Sequence, residues 1–288
     1  MKEQARTAAN ARYTLDFGIS RVTERRSGPS FITQCPYRGV VSKRWYQENR
    51  RDHWRREAKS KGYRARSAYK LKQIQERFNL IRDGDSVLDI GCHPGGWTQV
   101  AVELAGEAGF VVGVDILATS PIGGAELLIG DITDQETIDA VSGIVPGDGL
   151  NAVISDISPG LTGRYDTDQA ISLDLSTMAL DLAATMLMPG GCFVTKVFQG
   201  AGIEGLVNAA KQRFSSVTRF SPTASRSSSS ETYLVCQNML PNFRGEAARM
   251  SAMEQLSSHL EDVGIVVRDD GDKVESKVGF RKISKRDV

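Results

Sequence analysis

The sequence predicts a doubly wound α/β fold of the Rossmann-like kind: a seven-stranded, mostly parallel sheet, helices on both faces, and an extension at each end. Three observations carry that expectation. From Ser67 onward, apolar runs of strand length alternate with longer stretches of helical periodicity, the pattern of a sheet built from strand–helix–strand units. The runs are continuously apolar, as suits strands covered on both faces. Several end in an acidic residue, and the first leads straight into a glycine-rich turn, a combination found where such sheets bind nucleotides.

Taken in order, "SAYKLKQIQERFNLI" puts Leu71, Ile74, Phe78 and Ile81 on one stripe and predicts a helix over 67–81. "SVLDIG", "FVVGVDI", "AELLIGDI", "NAVISDI" and "CFVTKVF" follow as short apolar strands, the last after a Gly-Gly turn. Between the last two, Ile171, Leu175, Met178, Leu182 and Met186 form a helical stripe. "SSVTRF" and "TYLVCQ" complete the sheet. Beyond Leu240, Met253, Leu256, Leu260 and Val263 suit an amphipathic helix, and "IVVRDDGDKVESKVGF" reads as a hairpin around Asp-Gly. The division is thus an N-terminal extension over 1–42, a basic segment over 43–66, the α/β domain over 67–240 and a C-terminal extension over 241–288.

A chain of 288 residues with 40% hydrophobic content can bury one substantial core plus appendages. It has no apolar run of bilayer length, and its start, "MKEQARTAAN", lacks a signal-peptide core. Cys35, Cys92, Cys192 and Cys236 are scattered, and with His53, His93 and His259 they make no metal spacing. A reduced, cytoplasmic, metal-free monomer without membrane attachment is expected. Net charge is only +1, but ten basic residues and three acidic ones fall between Lys43 and Arg66, +7 net. Trp45, Tyr46, Trp54 and Tyr63 are interleaved there, so stacking faces accompany phosphate-seeking charges and favour nucleic acid over a solvated helix face.

In "DIGCHPGGWTQ", Gly91, Gly95 and Gly96 remove side chains where a ligand must approach the backbone. Asp115 closes the next strand, where a carboxylate can accept both hydroxyls of a ribose. Asp131 closes the third, placed for an adenine amino group. Pro94 removes one of the amide donors that a pyrophosphate needs, which favours S-adenosylmethionine over a dinucleotide. His93 is read as a solvent-facing loop residue. Lys196 sits in the middle of an apolar strand, and lysine resists burial. It either snorkels its charge to solvent or is tuned by partners elsewhere in the chain.

The motifs "DIGCHPGGWTQ", "SDISPGLTG", "KVFQG" and "SRSSSSETYLV", with the helix "YRARSAYKL" before them, resemble the FtsJ/RlmE-type ribosomal RNA 2′-O-ribose methyltransferases over about Gly62 to Met239. The resemblance implies a class I S-adenosylmethionine-dependent methyltransferase fold and a Lys-Asp-Lys-Glu tetrad. On the matching motifs the tetrad falls on Lys70, Asp156, Lys196 and Glu231. Gly95, Trp97, Asp115, Asp131 and Asp156 become the cofactor contacts. The implied substrate is RNA, a uridine of large-subunit ribosomal RNA or of the ribosomal subunit. Transfer RNA, a small molecule, or a catalytically idle RNA-binding module are the competing readings. Cys92-His93 stands where the family commonly has two small residues. A free lysine has a pKa of about 10.4, so a lysine base needs burial and a second ammonium nearby. In this reading Lys70 supplies that charge, while Asp156 and Glu231 orient the amine.

Overall fold

The computed structural model describes residues 53–147, 149–225, 229–245 and 249–265. The extension over 1–42, the first part of the basic segment with Trp45 and Tyr46, and the hairpin expected around Asp270-Gly271 lie outside the described residues. The order is α1 (His53–Ser60), α2 (Ala68–Phe78), β1 (Ser86–Ile90), α3 (Gly96–Ala105), β2 (Phe110–Asp115), β3 (Ala125–Ile129) and α4 (Gln135–Ile144). Then come β4 (Leu150–Ser155), α5 (Tyr165–Met186), β5 (Leu187–Phe198), α6 (Ile203–Arg213), β6 (Phe214–Phe220), β7 (Glu231–Met239) and α7 (Ala252–Asp262). The strands form one seven-stranded sheet in the order β3-β2-β1-β4-β5-β7-β6. β7 runs antiparallel to β5 and β6, and the other neighbours are parallel.

Strand parity decides which side chains meet. Val87, Ala152, Ile154, Val194, Tyr233 and Val235 belong to the core under α2 and α3. Leu88, Ile90, Val153, Phe193 and Val197 belong to the opposite core, under α5, α6 and α7. Successive strand side chains point to opposite faces. Asp89, Lys196 and Glu231 therefore fall on the α2–α3 face, and Asp156, one residue past β4, continues that parity.

Several elements differ from expectation for identifiable reasons. Helix α2 stops at Phe78 because Asn79 takes the left-handed conformation, φ 49°, and caps it; Ile81 still enters the core. Strand β5 starts at Leu187, which pairs with Leu150 before the register shifts to Ala152–Cys192. The Gly-Gly turn is thus an irregularity within the strand. In α5 the fully covered residues are Leu173, Ser176, Thr177, Ala179, Leu180 and Ala183, while Ile171, Leu175 and Met178 are half-buried. The hydroxyls tolerate this because Ser176 and Thr177 donate to the carbonyls four residues back, at 2.6 and 2.8 Å. Val263 is 55% exposed because α7 ends at Asp262 and its last turn no longer continues the stripe.

Candidate active site

The strand order reverses between β1 and β4, and the turns leaving their carboxyl ends touch. A Cβ on Gly91, which sits at φ +74°, would lie 2.9 Å from the Ile157 Cα, so only glycine lets the two turns close. A crevice at such a reversal is where doubly wound sheets bind ligands. Gly95 caps α3 at φ +110°, and a side chain there would strike Ile122 and Arg64. Three carboxylates stand around the turn. Asp115 accepts from the His93 and Leu117 amides at 2.9 and 2.8 Å. Asp131 lies just beyond β3 instead of closing it, and one of its oxygens accepts from the Thr133 amide and hydroxyl at 2.9 and 2.8 Å. A carboxylate offers about four lone-pair sites, so both retain capacity for a ligand. Asp89 is fully buried; Oδ2 accepts from the Thr98 hydroxyl at 2.7 Å, and Oδ1 has no hydrogen-bond partner among the described residues. Burial pushes its pKa up to about 7, with the charges of Asp156 and Asp115 adding to it and the Thr98 bond opposing.

Lys70, Asp156, Lys196 and Glu231 come together on the α2–α3 face. The Lys196 Nζ donates to the Asp156 carbonyl at 2.7 Å and lies 3.2 Å from Asp156 Oδ1. Lys70 pairs with Glu231. Each lysine is only 5% exposed, so Lys196 does not snorkel: it is held inside by a carboxylate and a carbonyl. The register explains the meeting, for Lys196 lies opposite Tyr233 and Phe198 opposite Glu231. Lys70 arrives from α2, whose Leu71 and Ile74 anchor it to the same face. Behind the strand, the Ser176 hydroxyl shares its one proton between the Ser172 and Lys196 carbonyls, at 2.6 and 2.7 Å, and Ser172 Oγ accepts from the Phe198 amide at 3.1 Å. Burial pushes the Asp156 carboxyl up, but the Lys196 and Lys70 charges and the Tyr233 bond outweigh it and hold it below the usual range.

The residues before α2 are laced to the glycine turn. Arg64 donates to the carbonyls of Pro94, Ser120 and Pro121 at 3.4, 2.5 and 2.6 Å. Its amide donates to Gln99 Oε1 at 2.9 Å, and Gln99 donates back to the Gly62 carbonyl at 3.1 Å. Trp54 and Tyr63 both pack on Tyr69, at 5.0 and 5.8 Å between ring centroids, and the Tyr63 hydroxyl donates to Glu103. Two of the four aromatics expected to offer open stacking faces, Trp54 and Tyr63, therefore serve as staples between α1, the following loop, α2 and α3.

Residues 63–239 match the FtsJ-like methyltransferase family. The chain belongs to that family. Ribosomal RNA large subunit methyltransferase E of Methanothrix thermoacetophila is 47% identical over 192 residues, covering 67% of this chain and 74% of the relative. Its namesake in Natronomonas pharaonis is 42% identical over 231 residues, covering 80% and 87%. A Plasmodium falciparum crystal structure assigned as a ribosomal RNA methyltransferase superposes with a TM-score of 0.57 at 25% identity, over 63% of this chain and 100% of the other.

As an FtsJ-like methyltransferase the protein is an enzyme whose cofactor is S-adenosylmethionine, and the crevice fits that group. Two glycines let the turns that border it close without a side chain between them, two carboxylates have acceptor capacity left, and the orphaned Asp89 oxygen suits an ammonium. Trp97, by contrast, is 2% exposed; its indole stacks on Tyr233 at 5.6 Å and donates to the Ser67 carbonyl at 2.8 Å, which supports the tetrad from behind. Cys92 turns inward against Gly113, and burial first, with Asp89 and Asp115 adding, pushes its thiol up to about 12. His93 is exposed on the loop. Two residues that touch this constellation are absent from the sequence-based expectation. Tyr233 donates to Asp156 Oδ1 at 2.7 Å, and Lys70 lies 5.6 Å from its ring centroid. Its position two residues after Glu231 in a strand is the available signal, since such residues share a face. Asp89 gives no such signal. Among the described residues, no group of His, Cys, Asp and Glu could hold a metal, and no helix is long and apolar enough to cross a membrane.

Proposed function

We propose that this protein methylates a ribose 2′-hydroxyl of large-subunit ribosomal RNA, a uridine in the ribosomal subunit, with Lys196 as general base and as a monomeric cytoplasmic enzyme. The observation that carries the reading is a pair of lysines, each 5% exposed and each held by its own carboxylate, on one sheet face beside the switch point. Fold integrity alone does not call for two buried ammonium groups there, since burying charge is costly. A hydroxyl is a weak nucleophile near neutrality and gains from a base placed to take its proton. Asp156 holds the Lys196 amine through two oxygens and so fixes its direction. Lys70, fixed by Glu231 and lying over Tyr233, places a positive charge where a ribose or phosphate oxygen of the acceptor would lie. Bound S-adenosylmethionine supplies the electrophilic methyl group. Asp115 and Asp131 would hold its ribose and adenine, Gly95 its close approach, and Asp89 its ammonium. The names of the relatives support ribosomal RNA of the large subunit as the substrate.

The test offers labelled cofactor with undermodified large subunits, free ribosomal RNA and transfer RNA, followed by location of the label. Label on a ribose of large-subunit RNA is expected; label on a base, or on transfer RNA alone, overturns the substrate assignment. Lys196→Met is expected to lose on the order of 10²-fold or more in rate while cofactor affinity stays within a few-fold. Wild-type turnover by that variant removes the base from Lys196.

A further inference from the structure

The loop that follows Asp156 carries two large apolar side chains that the tetrad and the cofactor crevice do not use. Leu161 is 70% exposed and Tyr165, the first residue of α5, is 49% exposed. Ile116 and Leu117, also exposed, follow Asp115 and belong to the cofactor side. The loop bearing Leu161 is fastened at several points. The Asp168 carboxylate, 6% exposed, accepts from the Thr162 amide and hydroxyl at 2.8 and 2.7 Å and from the Gly163 amide at 3.2 Å. Gln169 donates to the Ala201 carbonyl at 2.9 Å. The Tyr165 hydroxyl donates to the Gln199 carbonyl, and the Gln199 amide donates to the Ser230 carbonyl at 3.0 Å.

These bonds join the three segments that carry Asp156, Lys196 and Glu231 into one frame, with Tyr165 at its edge. An exposed aromatic is ordinarily free to turn; this one is tethered by its hydroxyl, so its ring has a set position. Its anchor, Gln199, lies three residues beyond Lys196, a reach of no more than about 10 Å along the chain. A ribose presented to Lys196 therefore brings its base toward this tethered ring, and single-stranded RNA is commonly held by stacking of bases on aromatic side chains. Arg164, exposed beside it, adds positive charge for the adjoining phosphate.

We infer that Tyr165, flanked by Leu161, is the surface on which the base of the acceptor nucleotide stacks, which makes it a positioning residue for the transfer. The inference rests on the proposed ribose methylation. Its test compares Tyr165→Ala and Tyr165→Phe with wild type for kcat and KM on large-subunit RNA and for cofactor affinity. Tyr165→Ala is expected to lower kcat/KM for RNA by about tenfold or more, with cofactor affinity within twofold. Tyr165→Phe keeps the ring without the tether and is expected within about threefold of wild type. Wild-type kcat/KM in Tyr165→Ala overturns the stacking surface. So does equal damage in the two variants, or a parallel loss of cofactor affinity, since each assigns the effect to the frame instead of the ring. If wild-type protein places no methyl group on ribose, the functional reading falls and takes this inference with it.

Discussion

Asp89 is a fully buried carboxyl whose protonation couples folding to pH. Its folded pKa is about 7, against about 3.9 in an unfolded chain. Because the folded value is raised, the native state binds the proton more tightly between those limits. The associated stability is fully present below about pH 4 and is lost as pH rises through about 7. The difference between the two values corresponds to roughly 4 kcal/mol. Asp89→Asn in cofactor-free protein is therefore expected to flatten the fall in unfolding midpoint between pH 5 and 8, followed by thermal unfolding at stepped pH. An unchanged slope would assign the pH dependence to other groups. The tetrad is legible because each member sits inside a motif whose neighbours announce it. Asp89 is not, since "SVLDIG" cannot reveal that one oxygen finds Thr98 and the other finds no partner among the described residues.

Helix α7 lies beyond the family match, yet it is built into the domain. The Asp181 carboxylate of α5 accepts from the Ala252 and Met253 amides at 2.6 and 3.0 Å, beside the Ser251–Glu254 capping box. The guanidinium of Arg213, 2% exposed, donates to Gln255 and to the Met250 carbonyl at 2.7 and 2.9 Å and lies 3.8 Å from Asp181. Asp181→Ala should cost about 1–2 kcal/mol for the missing cap, and more through loss of the negative charge facing the buried guanidinium, read from denaturant unfolding. A variant as stable as wild type would mean that Ser251 alone caps the helix. The existence of α7 is legible from its apolar spacing, and its partners are not. The covered face of α5 departs from the apolar stripe for a related reason. Apolar periodicity marks Ile171, Leu175 and Met178, whereas Ser172 and Ser176 face the sheet because β5 needs their hydroxyls at Lys196 and Phe198. Side-chain polarity alone does not disclose such a use.

Across the whole molecule, charge is segregated: a net +7 between Lys43 and Arg66 within a chain of net +1. Arg56, Lys59 and Lys61 are exposed there, while Arg64 is committed to the carbonyls of Pro94, Ser120 and Pro121. Replacing Arg56, Lys59 and Lys61 with Gln is expected to weaken RNA binding. The slope of log affinity on log salt should also fall, by about 0.7–0.9 for each phosphate that no longer meets a cation. An identical slope would show that this stretch is not the electrostatic footprint. The parallel part of the sheet is readable from alternation of strand and helix. The reversed direction of β7 is less so, although the connection from Phe220 to Glu231 is short for the crossover that a parallel neighbour requires. That reversed strand has a consequence for how the enzyme comes into being. Lys70 and Glu231 stand 161 positions apart along the chain, and Lys196 and Asp156 stand 40 apart. Pairings of such separation form late, after long stretches of chain have been closed into loops. On the proposed assignment, a nascent chain stays silent until Glu231 has been synthesised and its strand has docked between β5 and β6. Methyl transfer would then report that the last strand is in place.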